Sequence, residues 1–189
     1  DRSLKHKGLC AFVIERGMEG LTTASIKGKL GVRAGNTGEM AFNNVRIPAE
    51  NRIGEEGEGF KIAMSCIDQG RFTVAAGAVG LTRAALDASV KYANERQTFG
   101  VPIGHHQLVK QMIAKMVAGE QASRLLVMQA AELKNRGIRN TKETSLAKWY
   151  ACDVAHQSAD DAVQIHGSYG FSNEYPVERY LRNSRGAVI

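Results

Sequence analysis

Along the first third of the chain apolar residues come in short runs cut by turn formers; beyond it they recur at helical spacing. Leu9-Cys10-Ala11-Phe12-Val13-Ile14 and Glu39-Met40-Ala41-Phe42 are bounded by Gly, Asn and Pro, a pattern of strands and hairpins. From about residue 58 the period changes. Leu108, Val109, Met112, Ile113, Met116 and Val117 form an amphipathic stripe. Asn140 or Thr141 stands at the N-cap of a helix carrying Leu146, Tyr150 and Val154. Pro176 suits the first turn of a last helix carrying Val177, Tyr180 and Leu181. The pattern predicts helices over residues 58–94, 105–135, 141–166 and 176–187, the first bending or breaking near Asp68–Arg71. Long helices with short connections pack as antiparallel neighbours. The expected fold is therefore mainly α, a four-helix up-down bundle of long helices preceded by part of a β-barrel or β-sandwich domain.

Composition sharpens the division. Ten of the twenty glycines lie before residue 60, so residues 1–54 read as the end of a β-domain and residues 55–189 as a helical one. At 189 residues the chain can bury a substantial core, and 43% hydrophobic with 23% charged residues excludes disorder. The longest apolar run, Val74 to Leu81, is far too short for a membrane span. The net charge of +6 suits a phosphate-bearing ligand or an acidic partner. Basic residues are interspersed with acids rather than clustered, which argues against nucleic acid. Cys10, Cys66 and Cys152 are far apart and form no CxxC pair, the usage of a reducing compartment. The chain opens on Asp1 without an initiator Met or a signal-like segment, which reads as a piece of a longer protein.

Five stretches carry candidate chemistry. Gly54-Glu55-Glu56-Gly57-Glu58-Gly59 is glycine-rich, but three carboxylates would repel a phosphate, so a flexible interdomain connector is favoured over a nucleotide loop. His105-His106 lacks a second ligand one helical turn on, and no metal site is expected. Asp68-Gln69-Gly70-Arg71 pairs an acid and a base three apart, the spacing of a local salt bridge. Gly70 within it costs about 1 kcal/mol relative to alanine, which a close approach by backbone or ligand would explain. Arg96-Gln97-Thr98-Phe99-Gly100 reads equally as a helix end, with Gly100 terminating it, and as a guanidinium aimed at a pyrophosphate beside an aromatic face. Gln164-Ile165-His166-Gly167-Ser168 is either a helix C-cap or a place where a ligand meets bare backbone.

In order along the chain, these segments resemble the acyl-CoA dehydrogenase family of flavoenzymes. The match runs through Lys29-Leu30-Gly31-Val32-Arg33 with Thr37 and Phe42, then Val45-Arg46-Ile47-Pro48-Ala49-Glu50-Asn51 and Asp68-Gln69-Gly70-Arg71. It continues through Glu95-Arg96-Gln97-Thr98-Phe99-Gly100, His106-Gln107, Gln164-Ile165-His166-Gly167, and Tyr175-Pro176-Val177-Glu178-Arg179 with Arg182.

The resemblance implies FAD-dependent oxidation of an acyl-CoA thioester to trans-2-enoyl-CoA. A glutamate removes the α-proton, the β-hydrogen leaves as hydride to the flavin, and electron-transfer flavoprotein reoxidises it. Carried over, Asp68, Gln69, Gly70 and Arg71 would line the acyl-CoA channel. Arg96, Gln97, Thr98, Phe99, His106 and Gln107 would meet FAD, Arg96 at its pyrophosphate, and Gln164, Ile165, His166, Gly167 and Ser168 would cradle its adenosine half. These groups would serve the FAD of the facing subunit, which implies a homodimer, commonly within a homotetramer. The compartment would be bacterial cytoplasm or mitochondrial matrix.

The catalytic glutamate typically follows the last helix, and by this alignment it would lie two residues past Ile189, so the chain is expected to be a piece without its own base. Some branched-chain and long-chain members place it where Gly70 stands, which points to short or medium straight-chain substrates. Gly35 and Asn183 depart from the family's usual serine and aspartate. A glutaryl-CoA dehydrogenase or an oxygen-using acyl-CoA oxidase is the nearest enzymatic alternative; a non-catalytic helical assembly module is the alternative of a different class.

Overall fold

The structure, a computed structural model, describes residues 2–189. The chain forms two units: residues up to Lys29 together with Arg33–Asp68, and Leu30–Val32 together with Gln69–Ile189. Strands of the first unit are β1 (Ala11–Phe12), β2 (Leu21–Ser25), β3 (Gly38–Phe42) and β4 (Arg52–Ile53). β1 pairs antiparallel with β4, and β2 with β3 in the register Leu21↔Phe42 to Ser25↔Gly38.

The glycine-rich segment after β4 is a packed turn rather than the loose connector its composition suggests. A Cβ on Gly57, whose φ is +85°, would lie 2.6 Å from the Lys7 carbonyl oxygen, and one on Gly59 would lie 2.8 Å from the Cys10 nitrogen. Gly59 also donates its N–H to the Leu9 carbonyl at 2.9 Å. Its acids are used locally. Arg52 binds Glu56 at 2.9 Å, and the Glu55 amide and Lys61 hold the exposed Glu58 carboxyl below its ordinary range.

Helix α1 (Gly59–Glu95) begins in the first unit and continues into the second, followed by strands β5 (Gln97–Thr98) and β6 (Val101–Pro102). Helices α2 (Gln107–Asn135), α3 (Thr141–His166) and α4 (Val177–Val188) complete the helical unit. α1 runs unbroken through Asp68–Arg71, where the sequence suggests a bend. The penalty of one glycine is small beside the packing of the helix beyond it. Gly137, at φ +68°, ends α2 in a Schellman turn, with Ile138 N–H donating to the Leu133 carbonyl at 2.9 Å. Asn140 precedes α3, but its side-chain amide donates to the Ala130 carbonyl at 2.8 Å instead of capping the helix.

Two clusters hold the bundle. Ala75 and Ala78 of α1 pack with Ala147, Ala151, Cys152 and Ala155 of α3, small residues that let the helices approach closely. Towards the other end of α1, Leu86, Tyr92 and Ala93 meet Met116, Ala162, Ile165 and Val177. Leu30–Val32 docks on α4: Arg182 Nη1 donates to the Leu30 carbonyl at 3.0 Å, and Val32 N–H donates to Asn183 Oδ1 at 2.7 Å. Gly31 is required there, because a Cβ would overlap the Arg182 carbonyl.

Candidate functional site

Arg96 leaves α1 and enters a small hairpin. Its N–H donates to the Tyr92 carbonyl at 2.9 Å, and its own carbonyl accepts from Ile103 N–H at 2.8 Å. β5 and β6 pair as Gln97↔Pro102 and Thr98↔Val101, leaving Phe99 and Gly100 as a two-residue turn with φ of +53° and +79°. Two positive φ values in a two-residue loop match the type I′ turn, whose twist suits the flanking strands. Gly100 thus turns a hairpin and does not terminate α1, which ends at Glu95.

The hairpin folds back onto the start of α2. Thr98 Oγ1 lies 2.8 Å from His106 Nε2, the Phe99 ring meets the His106 ring edge-on at 6.1 Å, and Gln107 is the first residue of the helix. Phe99 is 97% exposed. A bulky side chain in the left-handed region is strained backbone, and the edge-on contact with His106 leaves the ring almost wholly exposed to solvent. Among the described residues no carboxylate pairs with Arg96.

The C-terminal end of α3 reaches the same end of α1. His166, only 3% exposed, stacks on Tyr92 at 4.2 Å between ring centroids and meets Tyr175 edge-on at 5.2 Å. Its Nδ1 lies 2.8 Å from the Ala162 carbonyl, which can only accept, so Nδ1 carries the proton. Burial lowers the His166 pKa against the raising effect of that carbonyl, and the ring is neutral at neutral pH. Burial likewise raises the Tyr92 hydroxyl. The next residue, Gly167, turns out of the helix at φ +59°, and a Cβ there would meet nothing within 4 Å, leaving bare backbone beside open space. Ser168 follows in a short 3-10 segment, Gly167–Phe171. Tyr92, Tyr175, His166, Lys91 and Glu95 line a cavity of about 310 Å³.

Tyr92 is thus the hinge between the Arg96 and His166 groups. Tyr175 belongs to a family-like motif and Tyr92 to none, but an aromatic four residues before Arg96 is the sequence signal that the two share a helix face.

Asp68, Gln69, Gly70 and Arg71 are not part of this grouping. They lie in α1, with Arg71 roughly 38 Å along the helix axis from Arg96 at 1.5 Å per residue. Gln69 Oε1 accepts from Lys134 Nζ of α2. A Cβ on Gly70 would meet nothing within 4 Å, so among the described residues no backbone makes the close approach that a helical glycine suggests.

Residues 57–189 match the family model of the acyl-CoA dehydrogenase C-terminal domain. The chain belongs to the acyl-CoA dehydrogenase family. An acyl-CoA dehydrogenase of Bacillus subtilis is 44% identical over 182 residues, which are 96% of this chain and 48% of the relative. The butyryl-CoA dehydrogenase structure from Megasphaera elsdenii superposes with a TM-score of 0.94 at 42% identity, over 99% of this chain and 49% of that one. A chain from the structure of the electron transferring flavoprotein of Acidaminococcus fermentans, a study of flavin-based electron bifurcation, gives 0.96 at 44% identity, over 100% and 50%. The chain therefore spans about half the length of the curated relatives it matches. The mainly helical fold, with its long α-helices following short strands in chain order, is the one the family's solved structures share.

Proposed function

We propose that this acyl-CoA dehydrogenase chain forms part of an FAD-dependent enzyme that oxidises a short or medium straight-chain acyl-CoA to its trans-2-enoyl-CoA. The observation that carries this is the stacking of His166 on Tyr92, which brings the end of α3, with Gly167 next in the chain, to the end of α1 from which Arg96 and the Phe99 hairpin follow. An unpaired guanidinium, a fully exposed aromatic ring and bare backbone at one end of the bundle fit a dinucleotide's pyrophosphate and adenosine. FAD, when bound, accepts the substrate's β-hydrogen as hydride.

The chain's own residues bind and orient. Arg96 supplies charge-assisted hydrogen bonds to the pyrophosphate from a backbone fixed at both its N–H and its carbonyl. Phe99 offers its ring from a turn that His106 buttresses. Neutral His166 adds no charge of its own; it locks the α3 terminus so that Gln164 and Gly167 face the ligand. Gln69, Gly70 and Arg71 would lie along the pantetheine with Asp68, Gly70 leaving room beside the helix.

The separation along α1 gives the assembly a reason. One chain's Arg96 group and its Asp68–Arg71 group would serve different active centres, so that a dimer completes each one. Gly70 holds no carboxylate, and the proton acceptor is assigned to the glutamate that follows the last helix in the family. The same position argues for a straight rather than a branched acyl chain. Electron-transfer flavoprotein is the proposed oxidant of the reduced flavin, a reading supported by the likeness to a chain from the structure of the Acidaminococcus fermentans electron transferring flavoprotein.

The test is flavin retention by the whole protein carrying Arg96→Gln. The expected result is at least about tenfold weaker FAD binding, the loss of one charge-assisted contact of roughly 1.5–3 kcal/mol, with unchanged thermal stability of the flavin-free protein. Unchanged FAD affinity would remove Arg96 from the cofactor site.

A further inference from the structure

The loop joining β2 to β3 is an exception to the even mixing of charges along the chain. Between Gly20 and Gly38 there is no Asp or Glu, while Lys27, Lys29 and Arg33 supply three positive charges. The β2–β3 ladder continues one step past Ser25, with Ile26 N–H donating to the Thr37 carbonyl at 2.8 Å. Beyond that bond the first unit opens a concavity of about 580 Å³, lined by all three cations together with Ser25 and Asn36.

Two of the cations are held, and none is neutralised. Lys29 Nζ donates to the Gly35 carbonyl at 2.5 Å and to Thr37 Oγ1 at 2.9 Å. Arg33 Nε donates to the Lys29 carbonyl at 3.0 Å. Every one of these acceptors is uncharged, and among the described residues none of the three cations has a carboxylate partner. The third N–H of Lys29 and both terminal nitrogens of Arg33 therefore remain for a ligand. Like charges grouped around one hollow repel weakly across solvent, and an anion placed there relieves that repulsion.

We propose that this loop is a binding site for a terminal phosphate group. A carboxylate presents two oxygens and one charge. A phosphate monoester presents three terminal oxygens and close to two charges, which matches a guanidinium fork, a tethered ammonium and a free lysine. The hollow is larger than one phosphate group, so it also has room for a body that carries one, with Ser25 and Asn36 on its lining. The phosphate of the substrate's coenzyme A nucleotide is one source, and that identification rests on the proposed function. Free inorganic phosphate is the other, and the site itself stands on the loop alone.

The experiment titrates the whole protein with adenosine 3′,5′-bisphosphate, adenosine 5′-monophosphate and inorganic phosphate, following backbone amide resonances of residues 25–37. The bisphosphate is expected to shift those resonances, with an affinity that falls as salt rises. Arg33→Gln and Lys27→Gln should each weaken it about fivefold, the contribution of one partly screened charge. Among the described residues the Lys27 side chain makes no hydrogen bond, so its variant keeps the loop intact.

Tighter binding of the bisphosphate than of the other two supports the site with the coenzyme A nucleotide as its source. Equal binding of all three, lost in both variants, supports the site with free phosphate as occupant. No shift in the loop with any probe, or wild-type affinity in both variants, overturns it. Because the readout is binding at the loop, an enzyme inactive on acyl-CoA would still report on the site.

Discussion

His166 stacks on Tyr92 with 4.2 Å between ring centroids and 22° between ring planes, while its Nδ1–H is held by the Ala162 carbonyl. The contact joins the end of α3 to the end of α1 and is built for a neutral ring. Burial lowers the folded-state pKa below the ordinary value of about 6.5, so the unfolded chain takes up this proton more readily than the folded one. The stability contributed is fully present above about pH 6.5 and is lost as pH falls through the folded-state value. Thermal midpoints should fall over that acidic window. In His166→Phe, which keeps a stacking ring and removes the titration, the fall should be shallower. Parallel pH profiles of the two proteins would contradict this assignment.

Phe99 in the left-handed region sets local stability against binding. Phe99→Asn makes Asn-Gly, the favoured pair for a type I′ turn. The flavin-free protein should gain about 1 kcal/mol as the bulky side chain's strain is relieved, and flavin affinity should drop as the exposed ring is lost. Differential scanning calorimetry and flavin titration read the two effects separately. A stability loss would show that the turn does not carry strain.

The docking of Leu30–Val32 on α4 rests on two separable contacts. Gly31→Ala drives a Cβ into the Arg182 carbonyl and should cost roughly 1–3 kcal/mol. Asn183→Ala removes the acceptor for Val32 N–H and should cost about 1 kcal/mol. Asn183→Asp keeps an acceptor oxygen and should stay near wild type. Urea midpoints order the three, and a neutral Gly31→Ala would mean that the segment is not held in this position.

The thiols should separate by environment. Cys10 and Cys66 are exposed, whereas Cys152 is buried between helices and burial raises its pKa. Alkylation of the folded protein should modify two thiols quickly and the third only on unfolding, as mass spectrometry would show. Rapid modification of Cys152 would contradict the α1–α3 packing.

Helix positions were legible in the sequence because each buries a periodic stripe. α3 is observed at Thr141–His166 and α2 at Gln107–Asn135, within two residues of the spacing's prediction. What local pattern missed depends on contacts distant in sequence. Phe99 and Gly100 read as a helix ending, since nothing local shows that Thr98 will bond His106 and close a hairpin. The bend expected at Gly70 does not form, because propensity at one residue is outweighed by the alanine packing farther along α1. Gly57 and Gly59 read as flexibility, yet the backbone of Lys7–Cys10 presses against them. In the candidate site, Arg96, His106 and His166 were identified from motifs that resemble the family's. Tyr92, which joins them, belongs to a helix face and emerged only from the packing.

The most direct test of the proposed chemistry is anaerobic addition of butyryl-CoA to the whole flavin-loaded protein, following the visible absorbance of the oxidised flavin. The account predicts bleaching within the mixing experiment, formation of the trans-2-enoyl thioester, and recovery of absorbance when electron-transfer flavoprotein is added. Retention of full oxidised-flavin absorbance with butyryl-CoA and with longer straight-chain thioesters would contradict it.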